Sequence, residues 1–430
     1  HKMEMFFIPL VYILLICLLI GNHRFFELKG VSRAFVCILF IIKAFAGIII
    51  TFNAEKIYSG DDGYFFYEAG KTFLDYGVEN PFEYLKLMFG IYDSSNSEAY
   101  HHFLNWKNLP MWNDGETMIK LCSLIHIFAF SNILVHSIVF SFLSFCGLTA
   151  IYKATIHITR SNGFSLFLLL MLWPSVVFFS SGILKETLLI ALSGLFFFSL
   201  TQFGVSLRMK IYCFMLFFLL WLIKPHFIFF FTPAIIAYIS MTKFKLKSNW
   251  VSRLVILGVF ALYIVLSVVV HDKILGRNAA STIALVQQSS MKNSIYEKAE
   301  SYIQPPVIAA DYGSILRNTP KAFYQVITVP WFYTNAGLRW KTAAIENILV
   351  LIMVLMNIYA AFDRKNKYTL YHFAFLLFLI SFYSLVGFTC ALEASILRFK
   401  APILPFLIAG SYMFLLQYKD KILKNATSDN

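Results

Sequence analysis

Apolar runs of bilayer-spanning length recur along the whole chain, and no other feature limits its fold so sharply. Crossing about 30 Å of hydrocarbon takes about 20 apolar helical residues. Such runs fall near 5–21, 33–52, 132–152, 163–179, 184–204, 252–270, 342–362, 368–388 and 401–417. A further stretch, 211–241, is interrupted by Lys224-Pro225-His226. Proline removes a backbone donor, so two short helices meeting at a polar tip are expected there. The total is about eleven spans. Composition agrees, with 59% apolar and 14% charged residues, where a soluble domain carries about 25% charged residues. The excess must face lipid. The expected fold class is an all-α polytopic membrane protein, with 1–430 as a single membrane domain. Soluble enzymes, nucleic-acid readers and secreted disulfide scaffolds are thereby excluded.

The formal net charge of +13 is then a topological signal rather than a nucleic-acid one, because basic residues gather in cytoplasmic loops. Segments 22–33, 153–162, 205–210, 242–250, 363–367 and 418–430 hold 16 of the 36 Lys/Arg. All six lie on one side if the eleven spans are right, which makes that side cytoplasmic and the N-terminus external. The run Phe6–Ile20 lacks a basic leader and a small-residue cleavage site, so it reads as an anchor helix rather than a signal peptide. The six cysteines lie in or beside apolar runs without CxxC spacing, and buried packing accounts for them. Cysteines substituted into 53–131 and 271–341 should react with a membrane-impermeant thiol reagent from outside, and those in 363–367 should not. The reverse pattern would overturn the sidedness.

The two long outer loops, 53–131 and 271–341, are rich in Tyr, Trp and Phe, unlike disordered segments. The first carries two amphipathic stretches, 82–89 and 118–125, of the kind that lie as helices in the membrane interface. It also holds eleven of the 23 Asp/Glu, against five Lys and no Arg. Within it, Gly60-Asp61-Asp62-Gly63-Tyr64 follows a span by about nine residues. Adjacent carboxylates between glycines can hold a divalent cation, magnesium or manganese, through oxygen ligands. They can equally act as a general base on an attacking hydroxyl. An Asp-Gly turn in a solvated loop is the plainer alternative.

Three other outer turns carry cations. In Ser180-Ser181-Gly182-Ile183-Leu184-Lys185-Glu186-Thr187, Lys185 and Glu186 occupy the first turn of a returning helix, where free amides and the dipole attract anions. Glu186 alone could satisfy that dipole while Lys185 snorkels to the headgroups. Lys224 and His226 flank the proline of the short hairpin. Arg398 and Lys400 stand on the outer side before the last span, against the positive-inside trend, where basic residues snorkel or bind an anion. Lys43, near the middle of span 33–52, should pair within the bundle, with Glu346 as one candidate partner. An acidic loop near the membrane and cations from separate outer turns form the charge layout that binds a lipid-linked phosphate and activates an acceptor hydroxyl.

These residues resemble the GT-C membrane glycosyltransferases. The likeness rests on a first long outer loop opening with an acidic pair and a tyrosine, Gly60-Asp61-Asp62-Gly63-Tyr64, followed by interfacial helices. It rests also on Arg398-Phe399-Lys400-Ala401-Pro402-Ile403-Leu404-Pro405, similar to the Arg-x-x-x-Pro-x-x-Pro stretch opening a late span in many bacterial members. The resemblance implies a GT-C-like fold and an inverting-type transferase in the bacterial inner membrane, with its active site facing outside. It implies a polyprenyl-phosphate or polyprenyl-diphosphate sugar as donor and a glycan, lipid or protein as acceptor, in cell-envelope glycan assembly. Asp61 or Asp62 would be the catalytic base or a metal ligand, and Arg398 a contact of the donor phosphate. Lys185, Glu186, Lys224, His226 and Lys400 complete the expected donor-phosphate set. Similar charge patterns occur in lipid-linked polysaccharide polymerases. A flippase for a lipid-linked glycan would favour inverted repeats, and the sequence carries none.

Overall fold

The computed structural model of the chain describes residues 2–53, 62–104, 114–161, 163–204, 206–244, 250–276, 278–296, 298–331, 337–363 and 365–428. These are helices joined by turns, with two isolated bridges and no strand among the described residues. Among the described residues, five helices are long and apolar enough to cross a membrane: Arg33–Phe52, Ile133–Thr159, Trp250–Lys273, Trp340–Phe362 and Thr369–Thr389. Glu393–Lys400 and Leu404–Lys419, bent by 55°, make a sixth if counted together. The chain is an all-helical membrane protein. It divides into two compact units, 1–225 and 226–430, where the sequence reading treats it as one domain.

The first unit contains α1 (Lys2–Asn22), α2 (Arg33–Phe52), α3 (Asp62–Glu79), α4 (Pro81–Met88), α5 (Asp114–Ala129) and α6 (Ile133–Thr159). It continues through α7 (Phe164–Leu172), α8 (Pro174–Phe179), α9 (Lys185–Thr201) and α10 (Leu207–Ile223). Several start where a side chain accepts from an otherwise unpaired amide: Ser32 for α2, Asn132 for α6 and Ser206 for α10. The run 163–179 is not one rod, because Pro174 divides it into α7 and α8. The next run forms α9, whose side chains are mostly buried on every side, Glu186 through Ala191 included. A helix apolar all round can owe that pattern to protein neighbours as readily as to lipid.

At the centre α6 meets α9 and α2 through glycines. A Cβ on Gly147 would lie 2.4 Å from the Ile190 carbonyl oxygen, and one on Gly194 would lie 2.1 Å from that of Gly147. Small residues let helix backbones approach in this way. The expected amphipathic stretches 82–89 and 118–125 appear as α4 and part of α5. Tyr84 and Leu87 of α4 are buried while Phe82 and Leu85 are exposed. With α3 they enclose an apolar cluster that includes Phe66, Phe73, Met118, Cys122 and Ile125.

The second unit contains α11 (Pro225–Phe244), α12 (Trp250–Leu275), α13 (Ala279–Tyr296), α14 (Tyr312–Thr328), α15 (Leu338–Phe362), α16 (Thr369–Thr389), α17 (Glu393–Lys400) and α18 (Leu404–Ser428). The break between α10 and α11 falls at Lys224-Pro225, as the proline predicts. Here α16 is the buried helix, and a Cβ on its Gly387 would meet the Ala322 carbonyl oxygen of α14 at 2.3 Å. The Asn357 amide donates to Ser411 Oγ at 2.9 Å, and its Oδ1 lies 3.0 Å from His372 Nδ1. Gln287 holds the chain ahead of α14, donating to the Pro306 and Phe388 carbonyls at 2.9 Å each and accepting from the Ile308 amide.

Candidate functional site

The turn between α8 and α9 is expected from sequence to be a tight outer turn between two spans. The structure encloses it in protein: Ser180 and Ser181 are fully buried, and Ile183, Leu184 and Glu186 nearly so. A buried turn exposes carbonyls that water cannot reach, so they need donors from the protein. Serines at 137, 141 and 144, one face of α6 by their spacing, supply them. Ser137 and Ser141 donate to the Ser181 carbonyl at 3.2 and 3.0 Å, and Ser144 donates to that of Ser180 at 2.5 Å. Thr187 Oγ1 donates to the Gly182 carbonyl at 2.8 Å. Gly47 of α2 lies so close that a Cβ there would be 2.1 Å from the Ser181 carbonyl oxygen.

Lys43, one helical turn before Gly47, is buried and donates to Ser180 Oγ and, at 3.3 Å, to Ser181 Oγ. Its partners are therefore hydroxyls, and no carboxylate among the described residues forms an ion pair with it. Glu346 belongs to the other unit.

On the other flank of the same turn begins α9. Leu184 precedes it and offers no side-chain cap, so the dipole end is served by the acid in the first turn. That acid is Glu186, only 1% exposed, whose Oε1 is 3.3 Å from the ammonium of Lys224, itself 4% exposed. Lys185 is half-buried and sits 5.3 Å from the centroid of Phe66. Phe66 is one turn along α3 from Asp62, which opens that helix and is half-buried. The start of α9 and the end of α10 thus bring Glu186 and Lys224 into contact, while Lys185, the residue before Glu186, packs against the helix that Asp62 begins. Asp61 lies outside the described residues. Among the described residues no group of three His, Cys, Asp or Glu side chains is arranged to hold a metal.

The position of α3 is held from α5. His126 Nε2 lies 2.9 Å from the Tyr67 carbonyl oxygen, and the Tyr67 ring stands 4.7 Å from that of His126. Burial pushes His126 below the ordinary histidine range. Burial thus favours the neutral ring, and beside a carbonyl oxygen Nε2 is the nitrogen that carries the proton and donates it.

The second unit holds the other three expected residues. His226 stacks on Phe382, with ring centroids 6.2 Å apart and planes at 15°. Arg398 is half-buried in the last turn of α17. Lys400 is 2% exposed and spends its three donors on protein: the Val326 carbonyl at 3.0 Å, the Val329 carbonyl at 2.8 Å and Asn347 Oδ1 at 2.6 Å. An anion would have to take this ammonium from three protein acceptors. The donor-phosphate role expected of Lys400 therefore gives way to a structural one.

Sequence reasoning missed the hydroxyl set around Lys43. A signal was present: serines at i, i+4 and i+7 in a strongly apolar run, and a glycine four residues after a mid-span lysine. No protein-family model, curated protein or solved structure matches the chain.

Proposed function

We propose that the chain is a membrane glycosyltransferase that moves a sugar from a polyprenyl-phosphate or polyprenyl-diphosphate donor to an acceptor hydroxyl. The observation that carries this reading is the buried contact of Glu186 with Lys224, next to Lys185, which packs against the helix opened by Asp62. In the reaction a carboxylate of the Asp61-Asp62 pair takes the proton of the acceptor hydroxyl as its oxygen attacks the anomeric carbon. The bond from that carbon to the phosphate oxygen breaks, and the leaving phosphate keeps the electron pair. Lys185 and Lys224 neutralise the charge it acquires. Attack opposite the leaving group inverts the anomeric centre. A divalent cation on the Asp pair would assist the leaving group.

In this reading the chain is a GT-C-like enzyme of the bacterial inner membrane with about eleven spans. Its α4 and α5 lie in the outer interface, and its acceptor is a glycan, lipid or protein of the cell envelope. Mass spectrometry of lipid-linked glycans from cells with and without the gene identifies donor and acceptor together, since an unextended intermediate accumulates in the latter. Asp62→Asn should fold like the wild type, because the side chain is only half-buried at a helix start, and lose about 100-fold or more in transfer rate. Wild-type turnover from both Asp61→Asn and Asp62→Asn would remove the proposed base.

A further inference from the structure

Glu186 is the one carboxylate in the 155 residues between Glu116 and Asp272, a stretch that holds eleven lysines and arginines. It stands where a lysine is buried against it. An intramembrane or buried ionisable pair of this kind marks a functional site by default, and its geometry indicates what it does. At 3.3 Å the contact is longer than the 2.7–2.9 Å usual for a charge-assisted bond between ammonium and carboxylate. A second cation, Lys185, is the adjacent residue. Both partners are almost fully buried, and breaking a buried ion pair by removing one partner is strongly destabilising. A ligand can take Lys224 only by bringing its own negative charge as Glu186 departs. The departing carboxylate keeps a favourable place, because it remains in the first turn of α9 at the positive end of a 17-residue helix.

We propose that Glu186 stands in for a phosphate, holding Lys224 and yielding it to the phosphate or diphosphate of an incoming ligand. This rests on the donor-phosphate reading above and adds that binding there is an exchange of anions. The shared chemistry is a phosphate oxyanion, free or lipid-linked. A purely structural ion pair would behave differently, since breaking it would weaken the protein without creating affinity for anything.

The test titrates the full-length protein in detergent with inorganic pyrophosphate and, in parallel, with farnesyl diphosphate, at constant ionic strength. Glu186→Gln removes the competing charge and keeps the shape. It should bind at least one probe about ten-fold more tightly than the wild type, a difference of about 1.4 kcal/mol. Lys224→Gln should abolish the gain when combined with it. Tightening toward both probes assigns the site to phosphate in general, and tightening toward farnesyl diphosphate alone assigns it to a lipid-linked phosphate. Affinity equal to or below wild type for both probes overturns the proposal. If Glu186→Gln does not fold, Glu186→Asp keeps the charge but withdraws it by one methylene. It should show a smaller gain, and no gain overturns the exchange equally. A ten-fold gain in a protein that transfers no sugar would leave the exchange site standing and remove the transferase. Transfer without any gain would do the opposite.

Discussion

Lys400→Met should destabilise the second unit by about 3 kcal/mol or more, because each buried acceptor left without its donor costs about 1–3 kcal/mol. The methionine fills much of the same volume, so the loss is of donors and not of packing. Three acceptors are affected: the Val326 and Val329 carbonyls at the end of α14, and Asn347 Oδ1 of α15. The Asn347 amide cannot turn to help, since its Nδ2 already donates to the Ile327 and Pro330 carbonyls at 3.1 and 3.3 Å. One ammonium from α17 thus closes the C-terminal end of α14, where a cation also complements the helix dipole, and ties it to α15. Thermal unfolding in detergent measures the effect. Arg398→Met, two residues away on a half-buried position, should change the melting temperature far less. If Lys400→Met melts with the wild type, the ammonium does not hold the three segments together, and its role as an anion ligand would return.

Lys400 also shows where reading the sequence stops. Its position on the expected outer side, against the distribution of the other basic residues, correctly singled it out as unusual. What it pairs with could not be read, because its partners are backbone carbonyls and every residue has one. Lys43 is the same case in the first unit. Its cost within an apolar run was legible, but the compensating hydroxyls come from a turn about 140 residues away. By contrast, the break at Pro225 was legible because proline acts locally. So were α4 and α5, whose apolar residues recur at helical spacing. The span count is where hydropathy runs out. The run 184–204 is as apolar as a lipid-facing helix, yet α9 is surrounded by protein side chains, and hydropathy cannot separate those two environments. Glu186 stands out in the sequence itself, as the one acid in a long basic stretch. Its buried partner Lys224 follows from packing that no local pattern encodes.

Gly194→Ala should be among the most damaging single-methyl additions in the first unit, with a cost at the upper end of the roughly 1–3 kcal/mol typical of overpacking. The new Cβ would lie 2.1 Å from the Gly147 carbonyl oxygen and 2.6 Å from its carbonyl carbon. Both are backbone atoms of α6, so no side chain can rotate away and the two helices must move apart. Gly147→Ala meets the reciprocal obstacle, with the Ile190 carbonyl oxygen at 2.4 Å and the Ala191 Cα at 2.5 Å. Helix propensity alone predicts the opposite sign, since alanine is about 1 kcal/mol better than glycine within a helix. Gly258→Ala in α12, where nothing lies within 4 Å of the added carbon, provides that comparison and should be neutral or stabilising. The cost at Gly194 also reaches the candidate site. Gly194 lies eight residues along α9 from Glu186, about 12 Å at 1.5 Å per residue, so a displaced α9 carries Glu186 away from Lys224, the residue that caps α10. Lower melting temperatures for Gly194→Ala and Gly147→Ala, together with weaker pyrophosphate binding in a Glu186→Gln background, are the expected joint result. A Gly194→Ala protein that melts with the wild type would mean that α6 and α9 are not in backbone contact, and the placement of Glu186 against Lys224 would lose its support.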